Sequence, residues 1–259
     1  MIPGFVRCAI VALAVGVMSE TLGAATEQEC AVPERFFGFE PQLTRTPKAL
    51  AGGRNITVAV LGGASSQGLA AAKSELAWPA RMSSVFSERF PAANIKVLNL
   101  AVARQTAKRA VQEMDRAVIP LRPMLVIWET GTMEAVRKTD LDEFRGTLQT
   151  GIDKLRAGGA EVILMNMQFS RQTDAVIQFE PYLIAMRELS DVNDIPLFPR
   201  YAIMRHWAES GSLDLGADNS PTTRRIAARL YDCIGHAMAD FVMHGHPPGK
   251  RPPIADLER

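Results

Sequence analysis

The stretch Gly62-Gly63-Ala64-Ser65-Ser66-Gln67-Gly68 places two serine hydroxyls in a glycine-rich turn directly behind an apolar, β-branched run. Two chemistries use such a turn: backbone amides that cradle a phosphate, or a serine that attacks as a nucleophile. The phosphate reading fails, because no Lys-Ser or Lys-Thr closes the loop and its glycines do not follow G-x-G-x-x-G. Serine hydrolysis needs a base and donors aimed at the developing oxyanion. The chain holds four histidines. His206 stands in Arg205-His206-Trp207 and is expected to be packed, and His236 sits inside a long amphipathic stretch where a structural role is expected. His244 and His246 flank a glycine near a proline-rich end; without nearby cysteine or carboxylate they make no metal site, and no cofactor is called for. Glu129 and Glu134 flank a third loop and are possible acids or bases, although carboxylates at a loop edge are expected to be solvated. Arg104 and Arg171 follow the second and fourth apolar runs, where a guanidinium can hold a carboxylate or phosphate bidentately. Gly63, Ser65, Arg104, Glu129 and Arg171 form the expected ligand-binding set.

Elements must position these groups. Short apolar runs alternate with amphipathic stretches: strands are expected at 56–62, 95–100, 124–128, 161–165 and 195–198. Helices are expected between them at 79–90, 106–118, 140–157 and 181–192, with a long closing helix at 224–242. Pro79 stands near the first turn of its helix, Asp140 is an N-cap, and Gly158-Gly159 follows the third helix. Strict strand–helix alternation predicts an α/β domain with a parallel sheet covered on both faces. Ligands in such folds sit at the carboxyl ends of the strands, here the loops after Leu61, Leu100, Trp128 and Met165.

The 259 residues are 47% hydrophobic and 22% charged, with a formal net charge of +1, which excludes general disorder and leaves no footprint for nucleic acid or an anionic membrane. No repeat of intermediate period occurs. At the N-terminus, Arg7 precedes an apolar run from Cys8 to Met18 and a small-residue exit ending at Ala24-Ala25. That is the layout of a secretory signal peptide, too short for a membrane span. The expected organisation is a leader at 1–25, a lead-in at 26–54, the domain at 55–243 and a flexible tail at 244–259, in a chain exported to the periplasm or beyond. Removing the leader takes Cys8 with it, and Cys30 and Cys233 are expected to pair, a bridge worth about 4–5 kcal/mol for so long a loop.

From Ile56 to Phe241 the chain resembles the SGNH (GDSL-type) hydrolases. The cues are the serine loop, Val97-Leu98-Asn99 with a small-residue loop behind it, the strand-three segment from Leu121 to Thr132, Trp78-Pro79-Ala80-Arg81, and Leu197 to Trp207. The resemblance implies a three-layer α/β/α sandwich with about five parallel strands. It implies an ester hydrolase whose serine lies on the first loop, whose oxyanion hole uses a glycine amide and an asparagine, and whose D-x-x-H supplies the base. Every one of these positions is altered. Ala64 stands at the nucleophile, Ala103 at the oxyanion glycine and Met133 at the asparagine. Asp218 is followed by Ser220 and Pro221 instead of a histidine. A backbone amide survives at Ala103, but Met133 donates nothing. The resemblance so modified implies an inactive relative whose cleft binds an envelope glycan or an acylated ligand. The alternative is an atypical esterase acting on acyl or acetyl esters through Ser65 or Ser66.

Overall fold

The computed structural model describes residues 30–37, 40, 43–215 and 220–244. The expected leader, Asp218, His246 and the tail beyond residue 244 lie outside the described residues. Strands β1 (Ile56–Leu61), β2 (Ile95–Asn99), β3 (Leu125–Glu129), β4 (Glu161–Met165) and β5 (Leu197–Phe198) form one five-stranded sheet in the order β2-β1-β3-β4-β5. Every pairing is parallel, with Val58 opposite both Val97 and Leu125, and Leu61 opposite Trp128. The helices are α1 (Arg45–Ala51), α2 (Trp78–Arg89), α3 (Ala107–Ala117), α4 (Thr132–Arg137), α5 (Leu141–Ala157), α6 (Arg171–Asp174), α7 (Glu180–Asn193), α8 (Arg200–Glu209) and α9 (Ser220–Met243).

Side chains alternate across each strand with period two, and this alternation builds two cores. Val58, Val60, Leu125, Ile127 and Ile163 face one way, onto Trp78, Met82 and Phe86 of α2 and Ile234 and Met238 of α9. Ala59, Leu61, Val126, Trp128 and Leu164 face the other way, onto Met114 of α3, Leu148 and Ile152 of α5, and Met186 of α7. The result is the expected α/β/α sandwich. Gly151 in α5 exists for Trp128: a Cβ there would lie 2.4 Å from the indole ring.

Polar groups fix the element ends. Asp140 caps α5 by accepting from the amides of Asp142 and Glu143. Glu161, the first residue of β4, spreads its carboxylate across the amides of Thr44, Arg45 and Thr46 at the start of α1. Those donors have no partner within the helix, and a negative charge there also suits the helix dipole. Burial pushes the Glu161 carboxyl up, yet these hydrogen bonds hold it below its ordinary value.

Several boundaries differ from the sequence expectation. β5 has two residues instead of four, Pro196 having no N–H to extend the ladder. α9 starts at Ser220, so Pro221 occupies its first turn, where the missing N–H costs nothing. The short helices α1, α4, α6 and α8 were not expected; α4 and α6 have too few turns for a period to show. Cys30 and Cys233 are bonded, with Cα atoms 5.0 Å apart, which ties the start of the described chain to α9. Among the described residues no helix is long and apolar enough to cross a membrane.

Candidate functional site

From β1 the chain turns outward to β2, then returns to place β3 on the other side of β1. The crevice of the fold therefore opens at the carboxyl ends of β1 and β3. There the first-loop serines meet Glu129, the last residue of β3. Ser65 Oγ donates to Glu129 Oε1 at 2.7 Å, and Ser66 Oγ donates to Oε2 of the same carboxylate. Arg200, the first residue of α8, closes the group: Nη2 donates to Glu129 Oε1 and Nη1 to Ser65 Oγ, both at 2.9 Å. Its Nε donates to the Asn166 carbonyl at 3.1 Å. Trp78 Nε1 donates to Ser66 Oγ at 3.0 Å.

This cluster is buried. Ser66 is 0% exposed, Arg200 2%, and Ser65 and Glu129 8% each. Burial pushes the Glu129 carboxyl up, but the Arg200 charge and hydrogen bonds from Ser66, Ser65 and Arg200 outweigh it and hold the group below its ordinary value. Burial likewise raises the Tyr231 phenol, a neighbour of the same charges. Gly62 is required beneath the cluster, because a Cβ there would stand 2.6 Å from Ser66 Oγ and 2.7 Å from Glu129 Oε2.

The loops are laced together. Asn99 Nδ2 donates to the Ser66 carbonyl at 2.6 Å, Gln67 Nε2 to the Ala101 carbonyl at 2.8 Å, and the Val102 amide to the Gly62 carbonyl at 2.9 Å. Glu134 joins the second loop to the third, accepting from the amides of Ala107 at 2.7 Å and Gly131 at 3.2 Å. Burial raises its pKa, and these bonds only partly counter that. The expectation that Glu129 and Glu134 are solvated is thus corrected: both are buried, because each finds donors that replace water.

The other expected residues lie as follows. Ala64 is exposed, and Gly63, Ala103 and Met133 are half-buried around the same strand ends. Arg104 is exposed in the left-handed region, with φ +61°. Arg171 is exposed and its Nη2 reaches the Ala208 carbonyl at 3.4 Å, away from the Glu129 cluster's contacts. His206 leans on Phe36 with ring centroids 5.8 Å apart, and His244 on Phe37 at 5.7 Å. His236 is half-buried on α9. Among the described residues, the Ser65 and Ser66 hydroxyls bond Glu129, Arg200 and Trp78, not an imidazole. No metal-binding group of three or more His, Cys, Asp or Glu occurs among the described residues.

Arg200, Trp78 and Asn166 were missed as site residues. The signal for Arg200 was present: Pro199-Arg200 follows the fifth strand, and the strand-end rule applied to the other four loops holds there too.

The all-parallel five-stranded sandwich with its serine loop on β1 is the architecture that the resemblance to the SGNH (GDSL-type) hydrolases implies. The chain belongs to the Non-GDSL lipase-like family, whose sequence model matches residues 29–247. Among solved structures it is similar to TesA, at 17% identity over 68% of this chain and 97% of that one, with a TM-score of 0.52. A two-domain esterase (CEX) active on acetylated mannans shares 16% identity over 85% of this chain and 60% of that one, with a TM-score of 0.63. A catalytic mutant of Axe2, an acetylxylan esterase from Geobacillus stearothermophilus, shares 16% identity over 70% of this chain and 94% of that one, with a TM-score of 0.55. No curated protein matches the chain.

Proposed function

We propose that this protein is an exported, non-hydrolytic member of its family that binds an envelope glycan or an acylated ligand. The observation that carries the reading is the engagement of the first-loop serines by Glu129, and of Ser65 by Arg200; the resemblance adds that Ala64 takes the family's nucleophile position. The carboxylate that Ser65 meets is ion-paired and held below its ordinary pKa, so it accepts a serine proton poorly near neutral pH. Met133 offers no hydrogen bond where the family uses an asparagine, and loss of one oxyanion donor costs about 10²–10³ in rate. Export is supported by the leader-like N-terminus and by the Cys30–Cys233 bond, which suits an oxidising compartment. The glycan assignment draws on neighbours that act on acetylated mannans and acetylxylan.

One observation favours the alternative esterase: Ser65 Oγ stands 2.7 Å from a carboxylate oxygen, a nucleophile–base distance. Mature protein assayed with p-nitrophenyl acetate and butyrate separates the two. No release of nitrophenol above a heat-denatured control is expected, and Ala64→Ser alone is expected to restore none. Turnover that disappears in Ser65→Ala or Ser66→Ala would overturn the proposal.

A further inference from the structure

A cavity of about 640 Å³ opens between α7, α8 and the Glu34–Phe36 turn. That volume lies inside the range of small-ligand sites, roughly 300–1,000 Å³. None of Ser65, Ser66, Glu129 or Arg200 lines it; the cavity meets their cluster only through Tyr201, the residue after Arg200. Asn166 gives its carbonyl to Arg200 and its side-chain oxygen to the Tyr201 amide at 2.9 Å, so the residue after the buried guanidinium faces the cavity.

The lining is mixed in a particular way. Arg35 and Arg205 stand against Asp174, Glu180 and Glu209, so the formal charges nearly cancel. Much of that charge is already engaged. Arg205 Nε lies 2.7 Å from Glu209 Oε1, and the Tyr201 hydroxyl donates to Asp174. Arg35 lies over the Phe36 ring at 4.7 Å from its centroid and reaches towards His206 Nδ1 at 3.5 Å. Burial, and then Arg35, keep the His206 imidazole below its ordinary pKa, in line with a neutral ring accepting from the guanidinium. No net field invites an anion, and a charged rim does not suit an acyl chain. What remains is an apolar wall beside planar groups that bond in pairs. The wall includes the half-buried Ile177 and Tyr201, the latter in a T-shaped pair with Phe169 at 5.4 Å and backed by the buried Phe179 at 6.0 Å. The planar groups include guanidinium, carboxylate and the Gln178 amide.

We propose that this cavity is the seat of a neutral oligosaccharide, whose sugar rings lay their apolar faces on the Tyr201 wall while adjacent hydroxyls bond the planar side chains. The assignment rests on the glycan-binding reading above and moves the ligand from the altered hydrolase loops to the α7–α8 side. Isothermal titration of the mature protein with mannopentaose and xylopentaose tests it. Arg35→Ala and Gln178→Ala remove exposed side chains, so the fold is kept, as thermal melts check. Each is expected to weaken binding about tenfold, the scale of a lost charged or bidentate hydrogen bond. Val102→Trp, which crowds the strand-end crevice, is expected to leave the affinity unchanged. Binding lost in Val102→Trp but retained in both cavity variants would overturn the cavity and keep the glycan reading. An absence of binding of either sugar by the unaltered protein would overturn the neutral-oligosaccharide assignment itself. Affinity that collapses with added salt would also overturn it, by showing that charge carries the contact.

Discussion

At Glu129 two hydroxyls and a guanidinium converge on one buried carboxylate, and the loop, the strand and the helix that supply them are distant in the chain. Removing one member of a buried ion pair leaves an uncompensated charge, which typically costs about 3–5 kcal/mol. Glu129→Ala and Arg200→Ala are each expected to destabilise by that amount in urea unfolding. The double variant is expected to lose less than the sum, because it strands no charge. The pH dependence has a definite sign. Glu129 has its folded pKa below the unfolded value of 4.5, so its contribution is present above pH 4.5 and disappears as pH falls through the lowered folded value. Glu134 has the opposite shift: its carboxyl binds a proton more tightly when folded, and stability declines as pH rises from 4.5 through the raised value. Unfolding midpoints across acid pH are expected to flatten at the low end in a Glu129→Gln variant. A profile unchanged by that substitution would show that Glu129 does not govern the acid limb.

The elements were largely legible, and the misses have physical reasons. Strands β1, β3 and β4 read as apolar runs because both faces of a central parallel strand are buried. β2 lies at the sheet edge and is mostly half-exposed, yet its β-branched and apolar residues still marked it. α4 and α6 escaped notice because a single turn or two carries no detectable period. Packing between elements sets a further expectation at Gly151, where α5 crosses the sheet above Trp128. Alanine would gain about 1 kcal/mol of helix propensity over glycine. Its Cβ would collide with an indole that is 1% exposed and cannot move aside, and overpacking costs about 1–3 kcal/mol. Gly151→Ala is therefore expected to lower the urea midpoint despite its better propensity. A raised midpoint would show that Trp128 can yield.

Across the whole molecule, one covalent link spans a sequence separation of 203 residues, from Cys30 to Cys233 in α9. In the chain-entropy picture a loop of that length is worth about 5 kcal/mol, less any native strain. Unfolding of the Cys30→Ser/Cys233→Ser protein is expected at a denaturant midpoint well below that of the oxidised chain. Dithiothreitol is expected to lower the midpoint of the unaltered chain and leave that of the double variant alone. Equal midpoints with and without the bond would show that the α9 packing holds the terminus by itself.

By itself, the sequence determined the layered architecture, because hydrophobic period and strand–helix alternation are local and repeat along the chain. It also placed two serines on a glycine-rich loop behind the first strand, since loop position and residue type are read directly. The tertiary structure alone decided which groups those serines meet. Arg200 lies 135 residues from Ser65 and 71 from Glu129, and no local pattern says which buried charge will meet which. A carboxylate at a strand end reads as solvated until its counter-charge is known. Folding supplies that charge from the start of α8, and with it the burial and the lowered pKa of Glu129.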